Sequence, residues 1–197
     1  SSHDVVRAQT ALSGAPSRHT TPREQQATYA PTPEQARLGR ERFLLATAIQ
    51  MFCPGVPCVY YGDEAGLTGM ADPFNRRTYP WGGEDAALQA RVETLLHLRR
   101  DLAALRTGRC RMGALSPAVF GLIRYTDDGD LALLLVNNGA EPLTVQPSDE
   151  LLREGPDGDA PLPLDGPCKD EEGRACPSLA DAPLTVPPHA ALIRIRA

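Results

Sequence analysis

Residues 54–81 read PGVPCVYYGDEAGLTGMADPFNRRTYPW, and the rest of the chain is best interpreted from this stretch outward. The apolar run 56–61 lies between proline and glycine residues, a setting typical of a strand buried on both faces of a parallel sheet. The loop that follows is rich in carboxylates, arginines and aromatic rings. Polar side chains just past the carboxyl end of such a strand are where α/β barrels and open α/β sheets keep their sites.

The residue types of this loop allow two interpretations. Planar guanidinium groups, carboxylates and an indole ring suit a ligand that is rich in hydroxyls and has one apolar face, such as a sugar. The alternative is a surface loop stiffened by ion pairs between the same side chains. Composition alone does not separate the two.

Two helices are predicted around the stretch. Thr32 to Gln35 have the residues of a capped helix start, and the apolar residues from Leu38 onward fall near one face, which predicts a helix over 33–52. Leucines at three- and four-residue steps predict a second helix over 84–106, ended by Gly108. Residues 9–32 hold three prolines and no apolar periodicity, which predicts a loop. Helices alternating with a buried strand indicate an α/β barrel.

After Gly108 the apolar residues follow a strand pattern. The predicted strands are 119–126, 131–137, 143–146, 184–186 and 190–195, with a strong hairpin signal at 127–130. The second half is therefore predicted to be a helix-free antiparallel β-sandwich, and the chain to divide into 1–107 and 108–197.

An acidic loop is predicted between residues 147 and 183. Residues 141–181 contain eleven Asp and Glu against three Lys and Arg. Calcium binding is one interpretation of this loop, but the spacing of the carboxylates fits no calcium-loop motif, so a solvated loop is preferred. No metal site and no cofactor are predicted.

The overall composition limits the function classes. The 197 residues carry a net charge of −5, which argues against a general nucleic-acid binder. The sequence shows no run of 18 apolar residues and no leader, so neither a membrane span nor a signal peptide is expected. Five cysteines and four scattered histidines show no zinc-binding spacing. Cys168 and Cys176 would close a small disulfide in a secreted protein; free thiols in a reducing cytoplasm are preferred.

The central stretch also resembles a known family. The string G-V-P-x-x-Y-Y-G-D-E-x-G at 55–66, followed by D-P-x-x-R at 72–76 and by Trp81, is similar to the last barrel strand and following loop of the α-amylase family of glycoside hydrolases. The likeness is to its neopullulanase, cyclomaltodextrinase and amylopullulanase branch. It implies that residues 1–107 are the C-terminal part of a (β/α)8 barrel and that 108–197 are the β-sandwich domain that follows it.

The resemblance also implies site residues. Ser2-His3-Asp4 resembles the Asn/Ser-His-Asp at the end of the seventh barrel strand of the family. By that likeness His3 hydrogen-bonds sugar hydroxyls, and Asp4 is the catalytic carboxylate that stabilises the transition state. Asp72 and Arg76 match positions that contact the neighbouring sugar, and Trp81 offers a stacking face. The alternatives are that Ser-Ser-His is a tag remnant and that Trp81 packs under the loop.

The bond-breaking pair is not evident. Retaining glycosidases need two carboxyl groups roughly 5–5.5 Å apart. The family carries its nucleophile and acid on the fourth and fifth barrel strands, which would precede Ser1, and nothing in this sequence matches them. The adjacent Asp63 and Glu64 are rejected as a substitute because neighbours on an extended strand point to opposite sides.

The expected function is therefore that of a C-terminal portion of a retaining α-glucan hydrolase, inactive alone. Its substrates would be α-1,4 or α-1,6 links in maltooligosaccharides, cyclodextrins, pullulan or starch. An α-glucan is the expected partner, with no nucleic acid and no membrane, and a homodimer of the full-length enzyme fits the resemblance. A non-catalytic carbohydrate-binding or accessory module and a purely structural interaction domain are the alternatives. An incomplete barrel should leave apolar faces open.

Overall fold

The computed structural model of the chain describes residues 1–146, 162, 164, 166–179 and 183–196. They form two compact units. One comprises Ser1–Ala46 and Pro57–Glu93, and the other comprises Thr47–Val56 and Thr94–Ala197. The helices end at Thr107 and the strands begin at Arg109, but the two compact units divide the chain elsewhere. The domain division at 107/108 therefore stays a prediction. No helix in the described part of the chain is long and apolar enough to cross a bilayer.

Five helices precede the strands. They are α1 (Ala8–Leu12), α2 (Arg23–Ala27), α3 (Pro33–Phe52), α4 (Ala86–Asp101) and α5 (Ala103–Thr107). The predicted bounds of α3 are confirmed, and so is its capping box: the Gln35 amide donates to Thr32 Oγ1 at 3.2 Å and the Thr32 amide donates to Gln35 Oε1 at 3.0 Å. The second predicted helix is interrupted at Leu102, whose backbone is extended, and resumes as α5 until Gly108.

The prediction of a loop over 9–32 is partly wrong, because this segment contains most of α1 and all of α2. α1 packs Ala8 and Leu12 on an apolar cluster, and both helices also bury a glutamine. Gln26 of α2 is buried, and its carboxamide donates to the carbonyls of Arg18 and Thr21. Gln9 of α1 is buried as well, and its main-chain carbonyl oxygen lies too close to Gly39 of α3 for a Cβ to fit there. Each of these helices has only five residues, which is too short for an apolar periodicity to reveal it.

The strand predicted at 56–61 is not formed. The segment has no regular secondary structure and makes no strand pairing, and Val56 is 96% exposed. A parallel strand becomes buried only when neighbouring strands flank it and helices cover it. The part of the chain described before Arg109 contains no strand to pair with it.

The second half is β-rich, as predicted. Its strands are β1 (Arg109–Ala114), β2 (Val119–Tyr125), β3 (Leu131–Asn137), β4 (Leu143–Val145), β5 (Cys168–Lys169), β6 (Ala175–Cys176), β7 (Leu184–Val186) and β8 (Ala190–Arg196). One sheet has the antiparallel order β1-β2-β3-β8-β5-β6, and β4 pairs with β7 in a second. The sequence analysis missed β1, β5 and β6. Most of the predicted acidic loop, including 147–161, lies outside the described residues.

Each unit has its own apolar cluster. In the first unit, Phe43, Leu88 and Val92 pack with Ala8, Leu12 and Leu44. In the second, the buried cluster comprises Val119, Ile123, Leu131, Leu133, Leu135, Val145, Cys168, Leu179 and Val186. A buried arginine, Arg124, completes the second unit by donating to the carbonyls of Phe52 (2.9 Å), Gly108 (2.7 Å) and Arg109 (3.1 Å). It thereby satisfies the last carbonyl of α3.

Candidate functional site

Two segments far apart in sequence are joined in the first unit: residues 1–10 and residues 60–77. The Arg7 amide donates to the Gly69 carbonyl at 3.0 Å, and the Gly69 amide donates to Thr10 Oγ1 at 2.9 Å. The Gln9 carboxamide donates to the Asp63 carbonyl at 3.2 Å. These bonds fix the segment that contains Ser2-His3-Asp4 against the loop of the family-like stretch.

Arg7 lies at the centre of this junction and has no exposed surface. Its guanidinium donates to the Asn75 carbonyl at 2.7 Å and to Asp63 Oδ1 at 3.0 Å, and also to the Tyr61 carbonyl. It stacks over the rings of Tyr60 and Tyr61, 4.5 and 4.7 Å from their centroids. A buried charge is tolerated only when it is paired and hydrogen-bonded in this way.

Asn75 positions the predicted catalytic segment. It is fully buried, and its Nδ2 donates to the carbonyls of Ser2 (3.2 Å), His3 (2.9 Å) and Val5 (2.7 Å). One amide group therefore holds the main chain on both sides of Asp4. The sequence analysis gave Asn75 no role. Its position inside D-P-x-x-R was the available signal, but no local pattern gives it this role.

The structure brings four of the five predicted site residues together. His3 Nε2 lies 3.1 Å from Asp4 Oδ2, with 66% and 69% of the two side chains exposed. Arg76 Nε donates to the His3 carbonyl at 3.2 Å, and the Arg76 guanidinium pairs with the Asp72 carboxylate. We call His3, Asp4, Asp72 and Arg76 the surface cluster. Its imidazole, guanidinium and carboxylates can both donate to and accept from a polyhydroxylated ligand.

Trp81, the fifth predicted residue, is not joined to the surface cluster by any hydrogen bond or ring contact among the residues that the structure describes. It is 84% exposed and lies against Tyr79, with ring centroids 4.5 Å apart. It therefore does not pack under the loop. An open indole supported by a second ring is suited to stacking on an apolar ligand face.

Asp63 and Glu64 face different partners. Asp63 is buried against Arg7, whereas the Glu64 carboxylate lies near Tyr79. Burial raises the pKa of Tyr79, and the nearby carboxylates of Glu64 and Glu84 raise it further. The backbone here is a turn, with the Asp63 amide bonded to the Tyr60 carbonyl, so the strand argument against this pair does not apply. Their separate partners give a better reason to reject it.

A metal centre has no support in the described part of the chain, where no group of three or more His, Cys, Asp or Glu side chains is placed to hold an ion. The surface cluster offers hydrogen-bond donors and acceptors, and Trp81 with Tyr79 offers a ring surface for stacking. A sugar can use both kinds of contact, through its hydroxyls and its apolar face.

Known proteins similar to this chain share one family. No family model matches the chain. Among curated proteins, an amylopullulanase of Thermoanaerobacterium saccharolyticum is 33% identical over 131 residues, which cover 60% of this chain and 10% of that protein. A cyclomaltodextrinase of a Bacillus species is 36% identical over 108 residues (53% and 19%), and neopullulanase 2 of Thermoactinomyces vulgaris is 32% identical over 102 residues (50% and 17%). The matches thus span less than a fifth of each relative.

Solved structures agree with these relatives. A ligand-free cyclic α-maltosyl-(1→6)-maltose hydrolase from Arthrobacter globiformis superposes with a TM-score of 0.67 at 25% identity, covering 100% of this chain and 34% of that one. A cyclomaltodextrinase gives a TM-score of 0.68 at 24% identity, covering 99% and 28%. The chain is therefore similar to amylopullulanases, cyclomaltodextrinases and neopullulanases of the α-amylase family, glycoside hydrolase family 13, over only part of the length of those relatives.

Proposed function

We propose that the chain is a portion of a retaining α-glucan hydrolase, in which the surface cluster binds sugars on either side of the cleaved bond. The observation that carries this proposal is the Asn75 carboxamide bonded to the carbonyls of Ser2, His3 and Val5. It brings two family-like motifs that lie far apart in the sequence into one place. The substrates would be α-1,4- or α-1,6-linked glucans, the class that the names of the relatives indicate.

Each residue of the cluster has a proposed role. Asp4 accepts hydrogen bonds from hydroxyls of the sugar being cleaved and favours its positively charged transition state. His3 donates to the same sugar. Asp72 and Arg76 bind the next sugar, and Trp81 supplies a stacking surface at the rim. Arg7 and Asn75 are positioning residues, because they act on the cluster only through the main chain.

The part of the chain before Gly108 is proposed to be the end of a (β/α)8 barrel. α3 and α4 precede and follow the 54–81 stretch, as helices do around a barrel strand. The exposed, unpaired segment at Val56 supports this proposal, because a barrel strand without its neighbouring strands is left unpaired and open to solvent.

On this proposal the isolated chain does not cleave glucans, since Asp63 of the adjacent pair Asp63 and Glu64 is buried against Arg7 and the two carboxylates do not flank a bond. A reducing-end assay on maltoheptaose, β-cyclodextrin and pullulan tests this directly. We expect no turnover from the chain or from its Asp4→Asn variant. Turnover that Asp4→Asn abolishes would show that a nucleophile and an acid lie within these 197 residues.

A chimera tests the role of Asp4. This chain would replace the homologous segment of the Bacillus cyclomaltodextrinase, with β-cyclodextrin as substrate. We expect a folded chimera to retain activity and to lose about 10³-fold or more of kcat on Asp4→Asn, since removal of one transition-state contact commonly costs 10²–10³-fold and a charge is lost here. Equal activity of the two chimeras would refute the assignment of Asp4.

The second candidate function is a non-catalytic carbohydrate-binding module. The open Tyr79–Trp81 pair favours it, because an exposed aromatic platform binds sugars without any catalytic group. This candidate predicts glucan affinity that depends on Trp81 and not on Asp4.

A further inference from the structure

Two cysteines face each other across the β5–β6 hairpin. Cys168 and Cys176 are direct partners in the antiparallel register, and the next pair toward the turn is Lys169 with Ala175. The turn is closed by the Asp170 amide, which donates to the Arg174 carbonyl at 3.0 Å. The two sulfurs are not joined in this structure.

The register sets the distance between the two cysteines. Hydrogen-bonded and non-hydrogen-bonded pairs alternate along an antiparallel ladder. Because Asp170 and Arg174 form a hydrogen-bonded pair, Cys168 and Cys176, two positions away, form one as well. Such pairs have Cα atoms about 5.5 Å apart, inside the range of roughly 4.4–6.8 Å that a disulfide spans. Opposed side chains also share a face, and both cysteines pack on the same apolar cluster.

We propose that Cys168 and Cys176 are a redox-sensitive pair that forms an intramolecular disulfide under oxidising conditions and clamps the β5–β6 hairpin. The hairpin is a weakly held part of the sheet. Among the residues that the structure describes, β6 is the edge strand and β5 joins β8 through one residue pair, Lys169 with Ile195. A covalent link across the hairpin therefore constrains a segment that few main-chain bonds hold.

The order of the chemical steps follows from exposure. Cys168 is 2% exposed, and burial raises the pKa of its thiol, so little reactive thiolate forms there. Cys176 is only partly buried. With glutathione disulfide as oxidant, the Cys176 thiolate attacks one sulfur and releases one glutathione thiolate. The Cys168 thiolate then attacks Cys176 Sγ and releases the second glutathione. Two cysteine thiols lose two electrons and two protons, and one glutathione disulfide is reduced to two thiols.

Peptide mapping tests the proposal, because trypsin cleaves after Lys169 and Arg174 and separates the two cysteines into different peptides. The folded chain would be oxidised with glutathione disulfide, its remaining thiols alkylated without reduction, and the digest analysed by mass spectrometry. We expect one linked pair of peptides, lighter by two hydrogen atoms than the sum of its parts, and its disappearance on reduction. Urea-unfolded chain, treated identically, provides the comparison in which register no longer favours this pair.

Matched variants complete the test. Cys176→Ser should abolish the linked pair and leave Cys168 fully alkylated after unfolding, whereas Cys110→Ser should leave the linked pair unchanged. Three results would overturn the proposal: Cys168 still alkylated in oxidised wild-type chain, a glutathione adduct that accumulates at Cys176 without resolving, or linkage of either cysteine to Cys53, Cys58 or Cys110 instead.

Discussion

Replacing Arg7 by alanine should open the junction that holds the candidate site. The substitution leaves the Asp63 carboxylate, whose side chain is 3% exposed, without the guanidinium 3.0 Å away. It also leaves the carbonyls of Asn75 and Tyr61 without their donor. Removing one partner of a buried ion pair costs about 3–5 kcal/mol. That is a large fraction of the roughly 5–15 kcal/mol by which a domain is folded.

Hydrogen–deuterium exchange gives the local readout that this prediction needs, because the chain has two compact units and an unfolding curve alone would not show which of them is destabilised. At about 1.4 kcal/mol per tenfold, the amides of residues 57–77 should exchange roughly 100- to 4,000-fold faster in Arg7→Ala. Adding Asp63→Leu to Arg7→Met should recover much of the protection, since an apolar pair can replace a buried ion pair.

A matched arginine in the same unit provides the control. Arg23 is exposed, donates to the Asp72 carbonyl at 2.6 Å and lies over the Phe74 ring at 4.7 Å. Arg23→Ala should change exchange of the same amides by less than about tenfold, as surface substitutions usually do. If Arg7→Ala also stayed below tenfold, the junction would not depend on the buried guanidinium and the reasoning would be refuted.

Three further predictions concern the framework. Gly39→Ala should lower the free energy of unfolding by about 1–3 kcal/mol despite the better helix propensity of alanine, because the new Cβ meets the Gln9 carbonyl oxygen; urea unfolding measures it. The hydrogen bond from Arg40 lowers the pKa of the Asp85 carboxyl below its ordinary 3.8, so this pair stabilises the fold above that pH. The free energy of unfolding in urea should therefore fall as acidification passes the lowered pKa, by about 1 kcal/mol or less because the pair is partly exposed. Arg124→Met should cost about 2–4 kcal/mol in thermal or urea unfolding, because three main-chain carbonyls lose their donor.

Each of these has a control in the chain. Gly83→Ala, where a Cβ would find ordinary contact distances, should leave stability within about 0.5 kcal/mol of wild type. Asp85→Asn keeps a side-chain cap for α4 but should remove its share of the acid sensitivity. Arg124→Lys keeps the charge but not the fork of donors, so it should still be destabilising. Each prediction would be contradicted by one result: Gly39→Ala or Arg124→Met with the free energy of unfolding of the wild type, or Asp85→Asn with the acid sensitivity of the wild type.

Elements with local signals were predictable from sequence. α3 was found with its bounds because its capping box and its apolar face lie within one segment. β2 and β3 were found because an Asp-Gly turn separates two apolar runs. The unpaired segment at 56–61 was missed because an apolar run encodes burial only if partners exist. The break at Leu102 has no proline or glycine to announce it.

The candidate site was predictable only in part. His3, Asp4, Asp72 and Arg76 came from motif likeness, and the structure places them together. The roles of Arg7 and Asn75 depend on contacts between residues about 70 positions apart, which no local pattern contains. Both are fully buried polar side chains, and it is the bonds they make to main-chain carbonyls that shape the site.

The most direct test of the proposed glucan site is a titration of ¹⁵N-labelled chain with maltoheptaose, followed by NMR. We expect chemical-shift changes in residues 2–5 and 72–81, reduced by Asp72→Ala and by Arg76→Ala at unchanged fold. Maltoheptaose that shifts only resonances of β1 to β8, or shifts none at millimolar concentration, would contradict the assignment of the surface cluster to glucan binding.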